Sequence, residues 1–146
     1  MSNETKNQDI DFLIGFFKKT LELECIEKEF KINDEFVVSI LFKHEKTLIA
    51  CKYKSGEKQI EKSLNNLINS KTNVEKYLLK QYNKTKNSFN KVKYIFIVRN
   101  VSKEKKVLLN SVLSKKKIGK DQILVLDTKL IHDYEKLSKA IDKKIC

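Results

Sequence analysis

The chain has 146 residues, of which 40% are hydrophobic and 34% charged, a composition typical of one globular domain with a single core. Its apolar runs are all shorter than the roughly 20 residues that a membrane-spanning helix needs. The polar N-terminal segment has no signal-peptide pattern; we expect residues 1–8 to form a frayed tail and residues 9–146 a single domain. Three cysteines without CxxC spacing predict free thiols in a reduced, cytoplasmic protein rather than a disulfide framework or zinc site.

The formal net charge is +12, and Arg99 is the only arginine, so lysines carry nearly all of the positive charge. A field of this sign attracts polyanions and speeds their association. Lysine is a hydrated point charge that suits phosphate, whereas bidentate reading of bases favours arginine. The composition therefore predicts a nucleic-acid partner contacted through its backbone. A lysine- and asparagine-rich compositional bias is the alternative explanation.

The first third of the chain predicts one helix and three strands. Apolar residues at helical spacing predict a helix over 9–24, and the charged segment 25–32 predicts an edge strand. Two runs of strand-forming residues, Phe36–Phe42 and Thr47–Tyr53, flank the polar loop 44–46. This pattern predicts a β-hairpin.

The remainder of the chain predicts helices alternating with strands. The predicted elements are, in order, two helices over 57–69 and 72–87, a buried strand over 94–98, a helix over 102–117, a strand over 123–126 and a last helix from Thr128. In this interpretation Ser70 and Lys71 separate the helix over 57–69 from the helix over 72–87. Such alternation is typical of β-α-β units with parallel pairing. The predicted fold class is α/β, with a mixed five-stranded sheet flanked by helices.

Charged residues flank the hairpin. Asp34 and Glu35 precede its first strand, and the second strand has Ala50-Cys51-Lys52 near its end. This arrangement resembles the core of the PD-(D/E)XK nuclease superfamily, which includes archaeal Holliday-junction resolvases and restriction-endonuclease-like proteins. That family has an acid directly before the first apolar run, where this chain has Phe36, and an acid-x-lysine at the end of the second strand. Here the lysine and the cysteine match, and the acid is absent.

The resemblance implies a restriction-endonuclease-like fold, a homodimer and a Mg²⁺-dependent endonuclease site. It assigns Glu35, Lys52 and the position of Ala50 to catalysis, and Asp34 and Glu35 to the metal. Mg²⁺ prefers oxygen ligands, and in such a site it activates water and stabilises charge on the phosphate. Residues two apart on a strand share a face, so Lys52 projects beside Ala50, whose side chain offers the metal no oxygen.

Three interpretations of Ala50 stay open. The alanine is natural and the domain binds without cutting, or it replaces a glutamate in an engineered, inactive form. In the third interpretation, acids at shifted positions (Asp34, Glu35 and Asp11) rebuild the metal site.

Five basic residues are candidates for phosphate contacts: Lys54, Lys76, Lys80, Lys84 and Arg99. Arg99 is included because it follows a buried strand, and strand C-termini in α/β sheets often border sites. The first functional hypothesis is a protein that binds nucleic acid, DNA rather than RNA, without sequence preference and with impaired cleavage. The alternatives are an active Mg²⁺-dependent endonuclease of the Holliday-junction resolvase type and a non-catalytic structural subunit of a nucleic-acid-processing complex.

Overall fold

The computed structural model describes residues 3–33, 36–84 and 88–127. In these ranges the chain forms, in order, α1 (Asn3–Leu21), β1 (Glu24–Asn33), β2 (Phe36–His44), β3 (Thr47–Ser55), α2 (Ile60–Tyr82), β4 (Lys91–Arg99), α3 (Lys103–Lys115) and β5 (Ile123–Asp127). The last helix predicted from Thr128 lies outside the described residues. Residues 3–8, expected to form a frayed tail, belong to the first turns of α1.

The five strands form one mixed sheet in the order β1-β2-β3-β4-β5. β1, β2 and β3 pair antiparallel, whereas β3 pairs parallel with β4 and β4 parallel with β5. Parallel neighbours need long crossover connections, which α2 and α3 supply. The predicted α/β class, the hairpin and the mixed five-stranded sheet are confirmed, as is the position of β1 at an edge.

Helices cover both faces of the sheet and bury a separate apolar cluster on each. On one face α1 packs its buried residues, such as Leu13 and Phe17, against Phe42 and Ile97. On the other face α2 and α3 pack residues such as Leu64 against Phe96. Strands buried on both faces explain why β4 reads as a continuous apolar run.

The region predicted to form two helices is a single helix, so that prediction is wrong. α2 runs without a break through Ser70 and Lys71. Ser70 is only 8% exposed, and Lys71 forms an ion pair of 3.1 Å with Glu75 one turn later. The buried face continues from Leu67 to Val74, and burial of a continuous apolar stripe outweighs the weak helix propensity of one serine.

Of the helices in the described residues, none is both long enough and apolar enough to span a lipid bilayer.

Candidate functional site

The carboxyl ends of β3 and β4 meet at one edge of the sheet. Ser55 and Arg99 are neighbours in the parallel register, and the Gly56 N–H donates to the Arg99 carbonyl at 2.8 Å. Gly56 has φ +81°, a conformation that glycine adopts without steric cost. Since ligands of open α/β sheets bind beyond the carboxyl ends of strands, this edge is the first candidate site. Lys52 and Lys54 lie near it on β3.

Lys52 is held against the start of β2. Its Nζ donates to the Val37 carbonyl at 3.1 Å and lies 5.7 Å from the centroid of the Phe36 ring, within the range of a cation–π interaction. The structure therefore directs this lysine toward the first strand of the hairpin. Asp34 and Glu35, the predicted metal ligands, lie outside the described residues, and their role stays a prediction.

Ala50 is a core residue. It is 2% exposed, it pairs with Leu41 on β2 and Tyr94 on β4, and it belongs to the cluster under α2 and α3. A methyl group fits these apolar neighbours, whereas a carboxylate would need a metal ion or another partner to offset its burial.

The acids in the described ranges provide no ready metal site. No group of three or more His, Cys, Asp or Glu side chains there could hold an ion. Asp11, the third acid of the rebuilt-site interpretation, forms an exposed pair of 3.4 Å with Lys28. The predicted metal ligands Asp34 and Glu35 lie outside the described residues, so the magnesium site stays a prediction.

Arg99 takes part in a three-residue cluster at the carboxyl ends of β3 and β4, on the face of the sheet that α1 covers. Its Nη1 lies 2.5 Å from Asp9 Oδ2, and the Tyr53 hydroxyl donates to the same oxygen at 2.6 Å. Burial raises the pKa of Tyr53, and the hydrogen bond to Asp9 raises it further. The hydrogen bond to Asp9 also raises the pKa of Arg99. The guanidinium predicted to contact phosphate is therefore engaged with a carboxylate of its own chain.

Asp9 was not among the predicted site residues. It contacts Tyr53 and Arg99, which are 44 and 90 positions away in sequence. The sequence contained one signal for this role. Asp9 is a polar residue next to the apolar residues Ile10 and Leu13, which face the core from the same helix.

Lys76, Lys80 and Lys84 lie at the other end of the molecule. α2 starts shortly after the end of β3 and returns toward the beginning of that strand. Just beyond α2, Asn83 pairs with Phe89, and the next residue, Asn90, donates from its backbone N–H to the Lys46 carbonyl at 2.9 Å. The five predicted phosphate contacts are thus divided between two opposite regions and do not form one site.

The solvent face of α2 is basic. Lys62, Lys76 and Lys80 are exposed on it, and Lys84 is exposed just after its end. The two acids of α2 lie toward its flanks, where Glu61 pairs with Lys105 and Glu75 with Lys71, both at 3.1 Å. This face therefore presents positive charge that no carboxylate of the helix neutralises.

Comparison of the chain with protein-family models, curated proteins and solved structures finds no match in any of the three.

Proposed function

We propose that this chain binds nucleic acid through phosphate contacts made by lysines, without reading sequence, on a nuclease-like α/β scaffold that does not cleave as its sequence stands. The observation that carries this proposal is the solvent face of α2, where exposed lysines are not accompanied by acids of the same face. With a net charge of +12, the chain has a large positive excess to offer a polyanion.

The type of cation supports backbone contact over base reading. Bidentate recognition of guanine favours arginine, and the single arginine, Arg99, is engaged by Asp9 at 2.5 Å. Lysine contacts to phosphate release counterions and are insensitive to sequence. DNA is the proposed ligand by resemblance to nucleases.

Ala50 supports the absence of cleavage. A metal-dependent nuclease needs oxygen ligands at the reacting phosphate, and the buried methyl group of Ala50 provides none. An active Mg²⁺-dependent endonuclease is the second candidate function. Lys52 favours it, because its Nζ is fixed at the Val37 carbonyl near the end of the hairpin where Asp34 and Glu35 occur in sequence.

Two assays test this proposal together. Fluorescence anisotropy with a labelled DNA duplex, repeated between about 50 and 200 mM salt, should give an affinity that falls steeply with salt. Binding that barely depends on salt would contradict phosphate contact. In a plasmid or four-way-junction nicking assay with Mg²⁺ or Mn²⁺, the wild-type chain should leave the DNA intact. Cleavage by the wild-type chain would favour the endonuclease, and cleavage only after Ala50→Glu would indicate an inactivated one.

A further inference from the structure

We propose that two helices form one binding surface for the phosphate backbone of a nucleic-acid duplex. This surface, called here the α2–α3 lysine surface, consists of Lys62, Lys76, Lys80, Lys84 and Lys115–Lys117. The inference rests on the proposed function and deepens it by naming the surface and the form of the ligand.

The lysines of α2 fall on one narrow strip of the helix. At about 100° per residue, Lys62, Lys76 and Lys80 lie within about 40° of one another around the helix axis. The exposed residues between them in the same sector, Asn69 and Asn73, are neutral hydrogen-bonding side chains. The strip therefore combines point charges and amide donors, both of which bind phosphate oxygens.

The end of α3 extends this strip sideways. Lys115, Lys116 and Lys117 are exposed, and Lys116 Nζ lies 3.0 Å from the side-chain oxygen of Asn65 on α2. That contact joins the lysine cluster at the end of α3 to the solvent side of α2. Because α2 and α3 pack on the same face of the sheet, their exposed lysines lie on the same side of the molecule.

The dimensions and the aromatic content favour a duplex over a single strand. Lys62 and Lys80 are separated by about 27 Å along the helix axis, which equals the axial rise of roughly eight base pairs of a duplex. Proteins that bind single strands use aromatic platforms on which bases stack. On the exposed side of α2, Tyr77, at 41% exposed, is the only large exposed aromatic residue of that helix. A long strip of lysines with a single exposed aromatic side chain favours contact with the phosphates of a duplex over stacking on the bases of a single strand.

The test compares two triple variants of the full chain with equal loss of charge. The first is Lys76→Gln/Lys80→Gln/Lys84→Gln. The matched control is Lys18→Gln/Lys19→Gln/Lys31→Gln, three exposed lysines on α1 and β1 that form no ion pair with a carboxylate in the described residues. The probes are a 24-base-pair DNA duplex and one of its single strands, and circular dichroism verifies that both variants remain folded.

Each phosphate contact contributes about 0.9 to the slope of log affinity against log salt. We expect the α2 variant to lower the magnitude of this slope by about 2 to 3 and the control by less than about 1. We also expect the wild-type chain to bind the duplex more tightly than the single strand. Equal losses in the two variants, or tighter binding of the single strand, would overturn the inference while leaving nucleic-acid binding intact. A wild-type chain that binds neither probe at low salt would overturn the proposed function itself.

Discussion

Asp9 Oδ2 lies 2.5 Å from Arg99 Nη1, so a residue of α1 is joined directly to the last residue of β4. Tyr53 donates to the same carboxylate oxygen and adds the neighbouring strand β3 to the cluster. The three side chains connect α1 to the carboxyl edge of the sheet. Their arrangement indicates a structural role for Arg99, which the sequence alone associates with phosphate binding.

Replacing Tyr53 by phenylalanine should lower the free energy of unfolding by about 1 kcal/mol, because the variant lacks the hydroxyl that donates to Asp9. Urea unfolding followed by circular dichroism measures the change. Tyr77→Phe is the matched control, since Tyr77 is 41% exposed and we expect its hydroxyl to contribute less than about 0.5 kcal/mol. A Tyr53→Phe variant as stable as the wild-type chain would contradict the role of the cluster.

The contribution of the Tyr53 hydroxyl should depend on pH in one direction. Burial raises its pKa in the folded chain above the ordinary value of 10.0, so the unfolded state releases the proton first. The stabilisation is therefore complete below pH 10 and is lost as the pH rises toward the folded pKa. The difference in unfolding free energy between wild type and Tyr53→Phe should be constant from pH 7 to 9 and shrink above pH 10. A difference in unfolding free energy that grows above pH 10 would contradict a raised pKa of Tyr53 in the folded chain.

Ala50→Glu should destabilise the fold by about 3 kcal/mol or more at neutral pH, because the carboxylate would enter the apolar cluster between Leu41 and Tyr94. Ala50→Gln is the control of nearly equal size, and the excess loss in the glutamate variant measures the cost of the charge. Thermal unfolding with and without Mn²⁺ adds a second measurement. Recovery of stability on adding Mn²⁺ would indicate that a metal ion offsets the charge, and no destabilisation at all would contradict the buried position of Ala50.

The sequence predicted the sheet well because local patterns determine it. β4 is a run of β-branched and aromatic residues, and the hairpin consists of two such runs around a short polar loop, so neither depends on distant contacts for its identification. Ser102 was also predicted as the start of α3, and its hydroxyl accepts from the Lys105 N–H at 3.2 Å.

Tertiary contacts account for the differences. Ser70 has a weak helix propensity, and burial of α2 against the sheet keeps the chain helical at this position. The Asp9 cluster joins residues up to 90 positions apart, which no local pattern reveals. The predicted phosphate contacts fall into two regions because of the direction in which α2 runs. The spacing of lysines along a helix does not reveal which end of the sheet each lysine lies near.

Lysine footprinting shows which lysines of the folded chain contact a DNA duplex. The folded chain is acetylated briefly with and without a saturating 24-base-pair DNA duplex, and mass spectrometry measures the extent of labelling at each lysine. We expect the duplex to protect Lys76, Lys80 and Lys84, while Lys18 and Lys19 are labelled equally in both samples. Labelling of the α2 lysines that is unchanged by bound duplex, with protection at Lys52 and Lys54 instead, would contradict binding through the α2–α3 lysine surface.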